Sequence, residues 1–158
     1  MNYKVKSLVK AGIIAALYVV LVVVFSYSSF GPVQFRIAEM LTILPLFTPA
    51  AIPGLFIGCL LANILGGAVF LDVVFGSLAT LLAAYLSYRL RKKEWLVPVP
   101  PVLINAVVVG IILKFVYAEA ASVWVLMGSV FLGQMVSAYG LGLILIKALK
   151  PFKKYIED

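Results

Sequence analysis

Apolar runs long enough to cross a bilayer follow one another from residue 8 to residue 149, and this narrows the available folds more than any other feature of the chain. A membrane-spanning helix takes about 20 apolar residues to cross ~30 Å of hydrocarbon, and in lipid only helices or closed barrels satisfy their own backbone. Composition agrees: 65% of the 158 residues are apolar, 12% are charged and the mean hydropathy is +1.17. A soluble domain runs near 45–50% apolar and about 25% charged. The runs leave room for about six helices and no water-soluble domain. The chain therefore reads as a single all-α transmembrane domain, residues 1–158, with six transmembrane helices in a cell membrane.

The first run, 8–25, follows Lys4, Lys6 and Lys10 and resembles the basic start of a signal peptide, but five more stretches and no convincing cleavage site point to a retained helix. The loop 26–34 carries Gly31-Pro32 and aromatic residues, and is expected to lie ordered against the bundle. A second, short helix is expected over 37–47, ended by Pro45 and Pro49, and a third over 52–65, with Pro53 in its first turn and Gly66-Gly67 as its stop. The fourth covers 70–90. The fifth covers 95–117, with Pro98, Pro100 and Pro101 placing regular helix after them, and the sixth covers 120–149.

Basic residues set the orientation. Lys4, Lys6 and Lys10 precede the first helix, Arg89, Arg91, Lys92 and Lys93 follow the fourth, and Lys147, Lys150, Lys153 and Lys154 end the sixth. An even number of crossings places all of these on one side, leaving Arg36 and Lys114 for the other. By the positive-inside rule both termini are cytoplasmic. The net charge of +7 then belongs to the lipid bilayer and its faces, and no nucleic-acid partner is expected.

The side-chain inventory excludes several chemistries. The chain has no His and one Cys, Cys59, so zinc sites, disulfides, haem ligation by His and Ser-His or Cys-His nucleophile pairs lack their parts. No phosphate-binding G-x-x-x-x-G-K-[ST] occurs, and Gly66-Gly67 is followed by Ala68 and Val69. No catalytic residue, cofactor or metal is expected, and the chain cannot hydrolyse ATP alone.

Polar groups within the apolar runs are the functional candidates, because burying one in lipid costs several kcal/mol unless it is paired. Gln34, Arg36 and Glu39 sit where the first outer loop enters the second helix. Asn63 ends the third helix, Asp72 begins the fourth, and Lys114 and Glu119 flank the last outer turn. Asn105 and Gln134 lie nearer mid-membrane. Each has a structural reading: an Arg36–Glu39 pair, an Asp72 helix cap, a Lys114–Glu119 pair, amide bonds across helices. Their gathering in one leaflet favours a solute site open to the outside, since structural pairs have no reason to choose a side.

Aromatic residues at the same level, Tyr27, Phe30, Phe35, Phe70, Phe75, Phe115, Tyr117 and Trp124, fit an interfacial belt and equally a site for a flat heterocycle. Small residues mark a second surface. Ala11 with Ala15 and Gly12 with Ala16 form adjacent lines on the first helix, and Gly54 with Gly58 repeat the spacing on the third. Such faces serve internal packing or a partner subunit.

The run Phe30-Gly31-Pro32-Val33-Gln34-Phe35-Arg36-Ile37-Ala38-Glu39-Met40-Leu41-Thr42 resembles the signature after the first helix of QueT-type proteins, predicted substrate-binding S components of energy-coupling-factor (ECF) transporters assigned to queuosine precursors. Pro100-Pro101-Val102-Leu103-Ile104-Asn105-Ala106 is similar to that family's fifth helix, and Ala11-x-x-x-Ala15 resembles its docking element. The resemblance implies a six-helix S-component bundle with both ends inside and an outward-facing pocket built from the first outer loop and helices four to six. It also implies a membrane T component contacting Ala11 and Ala15, two partner ATPases, and toppling of the S component during uptake.

Under that resemblance, Glu39 or Asp72 receives the amino-pyrimidinone edge of a deazaguanine, with Gln34 in the same site. Asn105 and Gln134 read the remaining edge atoms, Arg36 orients Glu39, and Phe30 or Phe35 closes over the ring. Competing readings are an S component for another vitamin-like solute, a stand-alone carrier or channel, and a small intramembrane enzyme. A carrier is expected to show an internal repeat, and an enzyme to show catalytic carboxylates with a metal-binding repeat; neither pattern is clear here.

Overall fold

The computed structural model describes residues 3–26 and 35–156. The first apolar run forms α1 (Tyr3–Val24). A 3-10 helix, Ile37–Leu46, comes next, then α2 (Ala51–Leu65), α3 (Phe70–Arg89) and α4 (Val99–Phe115). The last run is not one regular helix. α5 (Val123–Gln134) passes into a π-helical stretch, Met135–Leu141, then α6 (Gly142–Leu149) and a short tail, α7 (Lys153–Ile156). No strand occurs among the described residues, and the protein is an all-α, multi-pass membrane protein.

Among the described residues, four segments are long and apolar enough to cross a bilayer: Lys4–Val24, Phe70–Arg89, Glu94–Phe115 and Val123–Ile156. The other two are short. Ten residues of 3-10 helix cover about 20 Å, and the fifteen of α2 about 22 Å. Neither matches ~30 Å of hydrocarbon, so this pair depends on its neighbours for cover. Regular helix in α4 begins at Val99, ahead of Pro100 and Pro101 rather than after them, because a first-turn proline gives up an N–H that has no helical partner.

Side-chain contacts give the bundle two distinct ends. Lys10 Nζ donates to the Ile156 carbonyl at 2.9 Å, and Lys150 pairs with Glu94 at 2.8 Å. The N-terminal, post-α3 and C-terminal basic segments thus share one end, as the charge count requires. The opposite end holds Lys114, which donates to the Glu119 carbonyl at 2.9 Å, and the Tyr117 hydroxyl, which accepts from the Val69 N–H at 3.1 Å.

The main core lies between α1, the 3-10 helix, α2 and α6, around Tyr18, Val22, Ile43, Leu55, Cys59 and Ile146. The two small-residue stripes meet inside it. A Cβ on Gly54 would lie 2.8 Å from the Ala11 carbonyl oxygen, and one on Gly58 would lie 2.8 Å from Tyr18 Cβ and 3.1 Å from Ala15 Cα. Ala11 and Ala15, expected at the surface of a T component, are instead packed against α2 and only 6% exposed. The reason is geometric: glycines on α2 let the backbones approach so closely that the alanine line is covered. The neighbouring Gly12 and Ala16 line faces outward. Elsewhere on the flanks Leu8, Phe70, Phe115, Trp124 and Leu132 are largely exposed, which suits lipid.

Candidate functional site

The site begins with the winding of the 3-10 helix. At three residues per turn, positions 36, 39 and 42 fall on one line, and ten residues is long for this geometry. Glu39 is buried at 2% exposure, and the Thr42 hydroxyl donates to its backbone carbonyl at 2.6 Å. One carboxylate oxygen accepts the Tyr18 hydroxyl of α1 at 2.5 Å, and the other accepts the Asn105 amide of α4 at 3.1 Å. Arg36 lies within Coulombic reach of Glu39 and Tyr18 and also donates to Cys59 Sγ at 3.9 Å. Both Glu39 oxygens are therefore occupied by groups from other elements.

Asp72 faces this cluster from the first turn of α3. It caps no helical N–H; its Oδ2 accepts the Tyr117 hydroxyl at 3.0 Å. No side chain among the described residues bonds Oδ1, although Asp72 is only 5% exposed. A Cβ on Gly76, one turn on, would lie 3.0 Å from Oδ1 and 3.3 Å from Asn63 Nδ2. The bare glycine keeps the space between these two groups open.

Between the two carboxylates lies a cavity of about 20 Å³, lined by Arg36 and Glu39, by Asn63 from α2, by Asp72, Gly76 and Thr80 from α3, by Asn105 and Val109 from α4, and by Gln134 from α5. Among the described residues, two buried side-chain polar atoms lack a partner: Asn63 Oδ1 and Gln134 Oε1. Both residues line this cavity. The buried hydroxyls show how unusual that is, since Ser77, Thr80 and Ser137 each bond the carbonyl four residues earlier. An unmatched amide oxygen in a dry interior costs about 1–3 kcal/mol.

Of the residues expected at a site, the fold brings together Arg36, Glu39, Asp72, Asn105 and Gln134. Phe30 and Gln34, like most of the expected outer loop, lie outside the described residues. Phe35 is half-buried and does not line the cavity, because the chain enters the 3-10 helix with Arg36 turned toward it. Phe70, Phe75, Phe115 and Trp124 are exposed on the flanks, as an interfacial belt requires. Sequence reasoning passed over Tyr18, Gly76 and Thr80. A tyrosine within an apolar helix was the available signal for the first, since a buried phenol needs a partner.

A family model described as the QueT transporter matches residues 8–151. The queuosine precursor transporter QueT of Lactococcus lactis subsp. cremoris is 40% identical over 95 residues, which make up 58% of this chain and 56% of that protein. The match spans little more than half the length of that curated relative. No solved structure matches the chain at a significant level.

Proposed function

Because this chain belongs to the QueT transporter family, we propose that it is the substrate-binding S component of an ECF importer, capturing a queuosine precursor of the deazaguanine type from outside the cell. The observation that carries this reading is the pair of unpartnered oxygens, Asn63 Oδ1 and Gln134 Oε1, on a cavity that also holds two carboxylates and an Arg. A purine-like edge bears ring and exocyclic N–H groups, which such acceptors match. Glu39, held by Tyr18 and Asn105, orders the floor of the site, and Asn63 and Gln134 offer free acceptors beside Asp72.

The cavity is the size of about one water, whereas ligand sites run to several hundred Å³. Loading therefore parts its walls, two of which adjoin irregular helix: the 3-10 segment that carries Glu39 and the π-helical stretch that follows Gln134. Uptake draws its energy from partners, a T component and two ATPases, because this sequence has no phosphate-binding loop. With Ala11 and Ala15 covered, the small line that α1 presents to a T component is Gly12 and Ala16.

The test is Gln134→Leu in the purified full chain. Removing an orphaned acceptor is expected to raise the melting temperature, while weakening binding of queuine and its aminomethyl precursor by about tenfold, the size of one lost hydrogen bond. A more stable variant with unchanged affinity for both would sink the site. Co-purification with a T protein and two ATPases tests the coupling separately.

A further inference from the structure

The short 3-10 helix leaves a gap toward the basic end of the bundle. It covers about 20 Å of a ~30 Å hydrocarbon core, while α1 and α6 run on beside it to basic residues. Between these elements lies an open groove of about 320 Å³. Its walls are Ile13 and Leu17 of α1, Leu41 and Leu44 of the 3-10 helix, and Leu145 and Leu149 of α6. Gly12 and Ala16, the line offered to a T component, do not line it. Ionisable side chains line it at one end only: Lys10, whose Nζ donates to the Ile156 carbonyl, and the exposed Tyr155 of α7. Lys6, also exposed, stands one turn before Lys10 on the same face of α1. The Thr48 hydroxyl, the remaining polar group, accepts the Ala50 N–H at 3.2 Å. From Lys10 to Leu17 is about 10 Å of helix, less than the depth of one leaflet.

We infer that this groove seats one acyl chain of an anionic phospholipid from the leaflet at the basic end, with the lipid phosphate at Lys6 and Lys10. The groove is apolar over the depth of a chain and cationic at the level of a headgroup. Charge chooses among lipids. In the sequence Lys153 and Lys154 are offset by Glu157 and Asp158, so the excess positive charge beside the groove comes from Lys4, Lys6 and Lys10 of α1. A zwitterionic headgroup brings its own cation to these lysines and gains less from them than an anionic one. The chain covers Leu41 and Leu44, which share their helix with Glu39, so the occupant braces one wall of the buried cavity from outside. The inference stands apart from the identity of the transported solute.

The experiment is native mass spectrometry of the detergent-purified full chain, mixed with equal amounts of phosphatidylglycerol and phosphatidylcholine of matched acyl chains. One phosphatidylglycerol is expected to be retained, preferred at least about tenfold over phosphatidylcholine, given two lysines at its phosphate. Lys6→Gln is expected to cut that preference about fivefold, and Leu17→Trp, whose ring fills the groove, to abolish retention. Equal retention of the two lipids overturns the inference. Phosphatidylglycerol held as firmly by Leu17→Trp as by the wild-type protein overturns it too, by placing the lipid elsewhere. Retention of neither lipid overturns it and leaves the groove to a protein partner. Melting curves in lipid-free detergent show whether each variant is folded. If Leu17→Trp is not, Lys6→Gln decides, and an unchanged lipid preference overturns the inference.

Discussion

The two carboxylates of the cavity differ in what surrounds them more than in how deeply they are buried. Glu39 sits on a 3-10 helix and meets donors from α1 and α4, with Arg36 beside it. Asp72 sits in the first turn of α3 and meets one phenol. The first arrangement is closed on itself and holds four elements together. The second has a single side-chain partner among the described residues and stands beside the unpartnered amide oxygens of Asn63 and Gln134. Depth of burial is thus nearly the same for two carboxylates whose hydrogen bonding differs.

Substitutions on the two flanks should separate stability from binding. Glu39→Ala carries the largest effect, because it strands the Tyr18 hydroxyl and the Asn105 amide together. A loss of about 3–6 kcal/mol in thermal or denaturant unfolding is expected, for two hydrogen bonds to a charged group at about 1.5–3 kcal/mol each. A wild-type melting curve would erase the distinction between the flanks. Tyr18→Phe is next, at about 1.5–3 kcal/mol for a hydrogen bond to a charged group, again read in unfolding.

Gly76→Ala works on the other side. Its methyl group enters the gap between Asp72 and Asn63, and binding of the proposed queuosine precursor should fall by about tenfold, or 1.4 kcal/mol. Unfolding should stay level or improve, since alanine favours a helix by about 1 kcal/mol over glycine. Tyr117→Phe has the smallest effect, a change of about 1 kcal/mol in unfolding, because the two bonds it removes, to Asp72 and from the Val69 N–H, lie at the half-exposed rim. A large loss of stability there would show that Asp72 is as much a structural group as Glu39.

These contrasts also explain what could be read ahead of the structure. Arg36, Glu39, Asp72, Asn105 and Gln134 stand out in an apolar sequence because lipid tolerates such groups poorly, and the even-crossing charge count already placed three basic segments at one end. Tyr18 stayed hidden because tyrosine counts as apolar in a hydropathy run. The inward turn of Ala11 and Ala15 depends on Gly54 and Gly58 lying opposite them, which is a pairing between helices and not a property of either stripe. The windings escaped as well: hydropathy is the same in a 3-10, an α or a π turn, so nothing in 37–46 or 135–141 announced a departure from regular helix.

The wide turn at Met135–Leu141 makes the last helix tolerant of a shortening that its neighbours would not bear. A π turn holds one residue more than the α turn it replaces, so deleting a single residue there lets the segment rewind as α-helix with Gln134 still facing the same way relative to the basic tail, whereas the same deletion within α6 turns it by about 100°. Two proteins of equal length and equal hydrophobic profile would then differ only in the direction one amide points.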